Sequence, residues 1–298
     1  MKTLDKRKIN SLYRNYEGYL FISPWLIGFF VFMAGPMIYS FILSFMQYDI
    51  FTTMKFIGIK NFTDMFRDSL FIKSLKVTIF YVFISVPLRL ATALIIAMIL
   101  NIGVRGMSIY RTIYYLPSII GGGVAVSVMW KMLLSREGSL NTILSSIGLG
   151  PYNFLASPDL SLPTLSVIAA WQFGSAMVIF LAGLKQIPKE LYEASTVDGA
   201  TKIQQFFNIT IPLLTPTIFF NLVMGMIGAF QVFTQGFIIT QGGPANSTLF
   251  YVLYMYKVGF TQFRMGYASA IAWFLTIIIL IITVILFRTS GKWVYYES

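Results

Sequence analysis

Few side chains in this sequence can do chemistry, and their kinds decide what chemistry is open to it. The 298 residues contain neither Cys nor His. That removes thiol nucleophiles, disulfides, zinc clusters, histidine-ligated haem and every triad that needs an imidazole base. A Ser-Lys pairing has no indicated geometry, so no catalytic residue and no metal site is assigned. Two features remain. Glu190, Glu193 and Asp198 cluster among Lys185, Lys189 and Lys202, an acid-rich segment in a chain with eleven acids in all. Arg89 is the only charge well inside an apolar stretch, and such an ion is a functional candidate by default. A structural pair with a helix-end carbonyl freed by Pro87, or with a partner subunit, is the first reading of Arg89; an anionic ligand is the second.

The elements that position these groups are set by composition. Hydrophobic residues make up 57% and charged residues 11%, with a mean hydropathy of +0.75. This is an integral membrane protein, with room for several spans at roughly 20 apolar residues each. The net charge of +11 comes from cations spread over the ends of apolar segments rather than from a dense stripe, so it reads as membrane anchoring and not as nucleic-acid binding. Six spans are expected: Leu20–Met46, Val77–Leu100, the run between Arg111 and Lys131 that contains Gly121-Gly122-Gly123, Leu162–Leu184, Ile211–Thr240 and Ala268–Phe287. The glycine cluster reads as close helix packing, and the first run is too long for a signal peptide and stays as a span. Gln241-Gly242-Gly243-Pro244 marks a turn, and Leu249–Phe260 is expected to be an interfacial or re-entrant helix. The six-span domain thus covers 20–287, between an N-terminal segment 1–19 and a tail 288–298. Alternate loops carry Lys and Arg unequally: Lys2, Lys6, Arg7, Lys8, Arg14, Arg105, Arg111, Lys185, Lys189, Lys202, Arg288 and Lys292 share one side in short segments. That side, with both termini, is expected to be cytoplasmic.

The loop 185–209 falls on that side. Pro188 suits a first helical turn, and Leu191, Ala194, Val197 and Ala200 recur at helical spacing before Gly199 breaks the pattern. A helix, a glycine bend and a second helix follow, a shape fit for docking a partner. Here Glu193-Ala194-Ser195-Thr196-Val197-Asp198-Gly199-Ala200, followed by Ile209, Ile211 and Pro212, resembles the signature loop of binding-protein-dependent ABC importer permeases: Glu-Ala-Ala, three residues, Gly, nine residues, Ile, one residue, Leu-Pro. The spacing matches throughout; Ser195 stands where the family usually has Ala, and Ile211 where it has Leu. Phe21-Ile22-Ser23-Pro24-Trp25, Tyr110-Arg111-Thr112, Gly242-Gly243-Pro244, Met265-Gly266-Tyr267-Ala268 and Trp293-Val294-Tyr295-Tyr296-Glu297 narrow the resemblance to the larger-type subunit of carbohydrate importers, relatives of maltose and glycerol-phosphate permeases.

The resemblance implies an all-α fold of six transmembrane helices, the type I ABC importer permease fold, in a bacterial cytoplasmic membrane. It also implies partners: a second homologous permease forming a heterodimer, two ATPase subunits that carry ATP and Mg, and an extracytoplasmic solute-binding protein that delivers a sugar. The chain itself is then no enzyme and holds no cofactor; Gly291-Lys292 lacks the upstream glycine of a phosphate loop. Glu193, Ala194, Ser195, Asp198, Gly199 and Ala200 become the ATPase-coupling residues, with Glu193 and Asp198 fixing the helix–turn geometry and Gly199 the tight bend. Carried over by order, Trp171, Gln172, Ser175, Phe230, Gln231 and Val232 lie on the substrate pathway; Asn221 and Gln235 join them on their chemistry. The rival classes are weaker. A proton-coupled secondary transporter needs carboxylates in the bilayer, and all eleven acids fall in loops, tails or at span ends. An importer of a non-sugar solute such as glycerol phosphate is the other alternative.

Overall fold

The computed structural model describes residues 18–49, 51, 53–102 and 106–295. Residues 1–17, Arg105, Tyr296 and Glu297, which carry part of the charge-asymmetry and tail expectations, lie outside them. Among the described residues the chain is helical except for one two-stranded hairpin. Four helices are long and apolar enough to cross a membrane, and two bent pairs pass the same test as broken spans, for up to six crossings.

The chain divides into two compact units. In the first, α1 (Gly18–Leu43) contains a π turn at Phe30–Ala34 and exposes nearly all its apolar side chains, as a lipid-facing helix must. It leads into β1 (Met46–Gln47), which pairs antiparallel with β2 (Lys55–Phe56) before the short α2 (Lys60–Met65). Buried Asn61 donates from Nδ2 to the carbonyls of Ser44 and Met46, each at 2.9 Å, closing the backbone groups that the end of α1 leaves open. The Gly266 amide donates to the Tyr48 carbonyl at 3.1 Å, and a Cβ at Gly266 would collide with the Met46 carbonyl.

In the second unit the central element is α3 (Ser69–Asn101), against which the later helices pack. It starts eight residues before the expected Val77, because the Asp68 carboxylate caps the Leu70 and Phe71 amides at 2.9 and 3.2 Å. It also runs through Pro87 without stopping. The third and fourth spans are each broken. α4 (Met107–Ile120) and α5 (Val124–Leu133) meet at 98° across Gly121–Gly123, and α7 (Pro158–Trp171) and α8 (Gly174–Gln186) at 48°, with α6 (Ser139–Ser146) between the pairs. The glycine cluster therefore makes a bend as well as a close contact, correcting the packing-only expectation.

The following helix, α9 (Lys189–Val197), belongs to the loop, and α10 (Lys202–Phe230) is the fifth span, shifted towards the N-terminus from the expected Ile211–Thr240. A π turn at Gly236–Thr240 and the Gln241–Pro244 turn then lead into α11 (Tyr251–Tyr256). Phe250, Tyr251, Leu253 and Tyr254 are buried, and the Tyr251 amide donates to Thr78 Oγ1 of α3 at 2.8 Å. A helix sunk in protein this way is not an interfacial one. The last span, α12 (Met265–Ser290), is followed by a tail that folds back: the Tyr295 amide donates to Thr215 Oγ1 of α10 at 2.8 Å, and Phe219 meets Phe287 and Trp293 edge-on.

The core of this unit joins α3, α8 and α10. Ala93 and Ala97, one turn apart, are fully buried beside Phe173, Ala176, Met177, Phe180 and Leu214. Small side chains let the backbones approach, and dispersion between close helices replaces the hydrophobic drive that lipid cannot supply.

Candidate functional site

Two regions hold the residues singled out by sequence. The first is a polar tract at the helix breaks. Gln172 ends α7, and its Nε2 donates to the Gly121 carbonyl at 3.0 Å, satisfying a group that the α4–α5 bend sets free. The contact is close on both sides: a Cβ at Gly121 would stand 2.6 Å from Gln172 Cγ, and one at Gly174 2.8 Å from the Tyr114 carbonyl and Ser118 Oγ. Trp171 turns away to meet Trp130 edge-on at 5.4 Å.

Beside this junction lies a cavity of about 120 Å³. Tyr81, Ser85 and Arg89 of α3, Gln172 of the first break, and Val232 and Gln235 just past the end of α10 line it. A second cavity of about 270 Å³ is lined by Arg89, Ser175, Phe220, Asn221 and Met224. Arg89, Val86 and Gly225 border both. The structure thus gathers Gln172, Ser175, Asn221, Val232 and Gln235 around Arg89. Phe230 is buried, Gln231 is exposed, and neither of them nor Trp171 lines these cavities.

Hydrogen bonding separates the members. Gln235 accepts from the Tyr81 hydroxyl at 3.3 Å, and Asn221 donates to the Thr217 carbonyl one turn back at 3.1 Å. Arg89 has no hydrogen bond and no ion pair among the described residues, and its Nε, like Ser85 Oγ, is buried without a partner. The expected helix-end carbonyl is therefore not its partner here. The guanidinium faces two cavities that contain amides, hydroxyls and backbone groups but no carboxylate.

The second region is the loop from Ile187 to Thr210. Pro188 stands at the N-cap of α9, one position earlier than expected. Gly199 has φ +79° and closes the helix with a Schellman pair: Gly199 N–H to the Thr196 carbonyl at 3.1 Å, Ala200 N–H to the Ser195 carbonyl at 2.9 Å. Nothing lies within 4 Å of where its Cβ would be, so within this chain the demand for glycine comes from backbone conformation, not from backbone meeting backbone. Thr201 and Gln204 form a reciprocal capping box that starts α10.

The geometry is fixed by Gln205, which the sequence reading passed over. It is 3% exposed, and its Nε2 reaches the Tyr192 carbonyl at 3.2 Å and the Ser195 and Thr196 hydroxyls at 2.9 Å each. The Tyr192 and Thr210 hydroxyls add a bond of 2.9 Å. Glu193 and Asp198, expected to do this work, are exposed and have no partner among the described residues. The Thr-x-x-Gln spacing was a readable signal for the box; nothing local marks Gln205, because its three acceptors lie on another helix. Three apolar side chains of the loop point outward, Val197 at 88% exposed, Ile203 at 72% and Leu191 at 43%, while Ile187, Tyr192 and Ile209 pack against the core. On a loop this polar, these three side chains form an exposed apolar patch.

Residues 103–294 match the family described as "Binding-protein-dependent transport system inner membrane component". The chain is 52% identical, over 95% of its length and 93% of the relative's, to a probable ABC transporter permease protein, YesP, of Bacillus subtilis. It is 32% identical to the arabinooligosaccharides transport system permease protein AraP of the same organism, covering 92% of this chain and 88% of that one. Among solved structures, it resembles a chain of a bacterial ABC transporter involved in the import of the acidic polysaccharide alginate, with a TM-score of 0.82 and 26% identity over 96% of this chain and 99% of that one. A chain of the alginate transporter in complex with its pentasaccharide-bound periplasmic protein gives 0.80 at 26% identity, with coverage of 94% and 96%.

Proposed function

Because the chain belongs to the family of inner-membrane components of binding-protein-dependent transport systems, we propose a role for each of its two regions in importing a sugar. The chain is a multi-pass permease subunit of an ABC importer for carbohydrate. An external binding protein delivers the substrate, and a second, homologous permease completes the pathway as a heterodimer. Two ATPase subunits on other chains supply the energy, and one of them takes the loop 185–209 on the cytoplasmic side, where both termini also lie.

The observation that carries this reading is the state of that loop: closed on itself, open to a partner. Gln205 and the Tyr192–Thr210 bond tie α9 to the first turns of α10, so the two move as one body. Exposed Leu191, Val197 and Ile203 offer apolar contact, and unpartnered Glu193 and Asp198 offer charge. Ala194, Ser195 and Ala200 complete the docking element. When ATP closes the ATPases, a push on α9 passes directly into α10, and through Ile187 and Pro188 into α8. Those are the helices whose breaks border the polar tract. There Gln172, Ser175, Asn221, Val232 and Gln235 provide the amide, hydroxyl and apolar surfaces a sugar needs, in the half of the pathway contributed by this chain, with Trp171, Phe230 and Gln231 flanking the cavities rather than lining them.

Purification of the tagged chain from its native membrane in mild detergent, followed by mass spectrometry, tests the assembly. An ATPase and a second multi-pass permease should accompany it. Recovery of the chain alone, under conditions that preserve other ABC complexes in the same membrane, would overturn the partner assignment.

A further inference from the structure

We propose that Arg89 is the binding site for an anionic group on the transported carbohydrate, a uronate carboxylate or a sugar phosphate. The inference rests on the importer reading and narrows its substrate class.

Position comes first. Asp68, which caps the start of α3, is about 30 Å from Arg89 along the helix at 1.5 Å per residue, far beyond the reach of a side chain. The other described acids, Asp49, Asp64, Glu137, Asp159, Glu190, Glu193 and Asp198, sit in loops, in the short helices α2 and α9, or in the first turn of α7. Among the described residues no acid forms an ion pair with the guanidinium, and none lines the cavities it borders.

Satisfaction comes second. The neighbouring amides are already engaged: Gln172 on Gly121, Asn221 on Thr217, Gln235 with Tyr81. Arg89 keeps a buried Nε–H with no acceptor while it borders two cavities at once. A partly buried guanidinium without a counter-charge is costly and persists where something else supplies the charge. The planar guanidinium matches the two oxygens of a carboxylate or phosphate. The cavities on either side adjoin the guanidinium, and a neutral sugar would leave the charge uncompensated. Ser85 Oγ, also buried and unpartnered, stands one helical turn before Arg89 on the same face and offers the ligand a second polar contact.

The test uses the complete complex with its binding protein in proteoliposomes. ATP-driven uptake is compared for three probes: uronate di- to tetrasaccharides from lyase digests of pectin and alginate, neutral maltosaccharides, and glucose 6-phosphate. The wild type should prefer an anionic probe, and which one it takes decides between carboxylate and phosphate. Arg89→Gln should reduce uptake of that probe about tenfold or more, the size of a lost charge-assisted bond. Arg89→Lys should restore part of it, and the subunit stoichiometry of the purified complex should hold in both variants. Preference of the wild type for neutral maltosaccharides would overturn the inference and leave the importer standing, whereas uptake of no carbohydrate would overturn both. Loss of the complex in both Arg89 variants would overturn it by showing that the charge pairs with a partner subunit.

Discussion

The α9 loop and the Arg89 tract are built on opposite rules. In the loop every buried polar group is matched within the chain: Gln205 has three acceptors, Thr201 and Gln204 cap each other, and Gly199 closes α9. What it leaves uncovered is apolar surface and the three exposed carboxylates of Glu190, Glu193 and Asp198. In the tract the helices are broken, and the Nε–H of half-buried Arg89 and the Ser85 hydroxyl are buried without partners. A docking element must hold its shape before the partner arrives, because preorganisation removes an entropic cost from binding. A pathway must leave some interactions unmade, or its cargo would have nothing to bind.

Four substitutions press on this contrast, in decreasing order of expected effect. Gly199→Leu should abolish transport while membrane insertion stays normal. The αL strain is only about 1–2 kcal/mol, and the side chain meets empty space within this chain. Wild-type uptake by that variant would show that no partner approaches the bend. Gln205→Leu removes the bonds that tie α10 to α9 and leaves the Ser195 and Thr196 hydroxyls only their own donations to the Tyr192 carbonyl, at about 1 kcal/mol for each lost bond. It should uncouple the ATPase from transport, seen as continued ATP hydrolysis with uptake reduced at least severalfold. Tight coupling in that variant would mean that α9 and α10 need no clamp. Gln231→Ala, at an exposed position just past the break that ends α10, should shift the apparent affinity for the cognate sugar by a few fold. An unchanged affinity and rate would confine the pathway to the cavity-lining residues. Thr201→Ala removes one cap and should lower thermal stability by about 1 kcal/mol with little change in uptake; a large transport defect would show that the box does more than start α10.

Sequence and structure agree best where the signal is local. The spacing from Glu193 to Pro212 names the loop, and Gly199 names its turn. The solid apolar runs announce α1 and α12. Helix starts were harder to read: Asp68 and Thr201 carry the first turns of α3 and α10 well outside the apolar windows. The breaks at Gly121 and Gln172 were invisible to a hydropathy average because both halves of each span are apolar. Gln205 was missed because its acceptors belong to another helix, and the gathering of Gln172, Ser175, Asn221 and Gln235 around Arg89 depends on which helix faces which. The acidic pair was legible as a feature but misread as internal scaffolding, since sequence does not say whether a carboxylate spends its charge at home or abroad.

The single hydrogen bond from Gln172 to the Gly121 carbonyl has a mechanical consequence. It joins the 98° bend to the 48° bend, and the missing Cβ of Gly121 lets the two corners sit in van der Waals contact. Two hinges fastened at their pivots lose a degree of freedom: neither can straighten without dragging the other or tearing the fastening. Distance probes placed on α5 and α7 should therefore report correlated rather than independent changes through the transport cycle, and Gln172→Ala should decorrelate them.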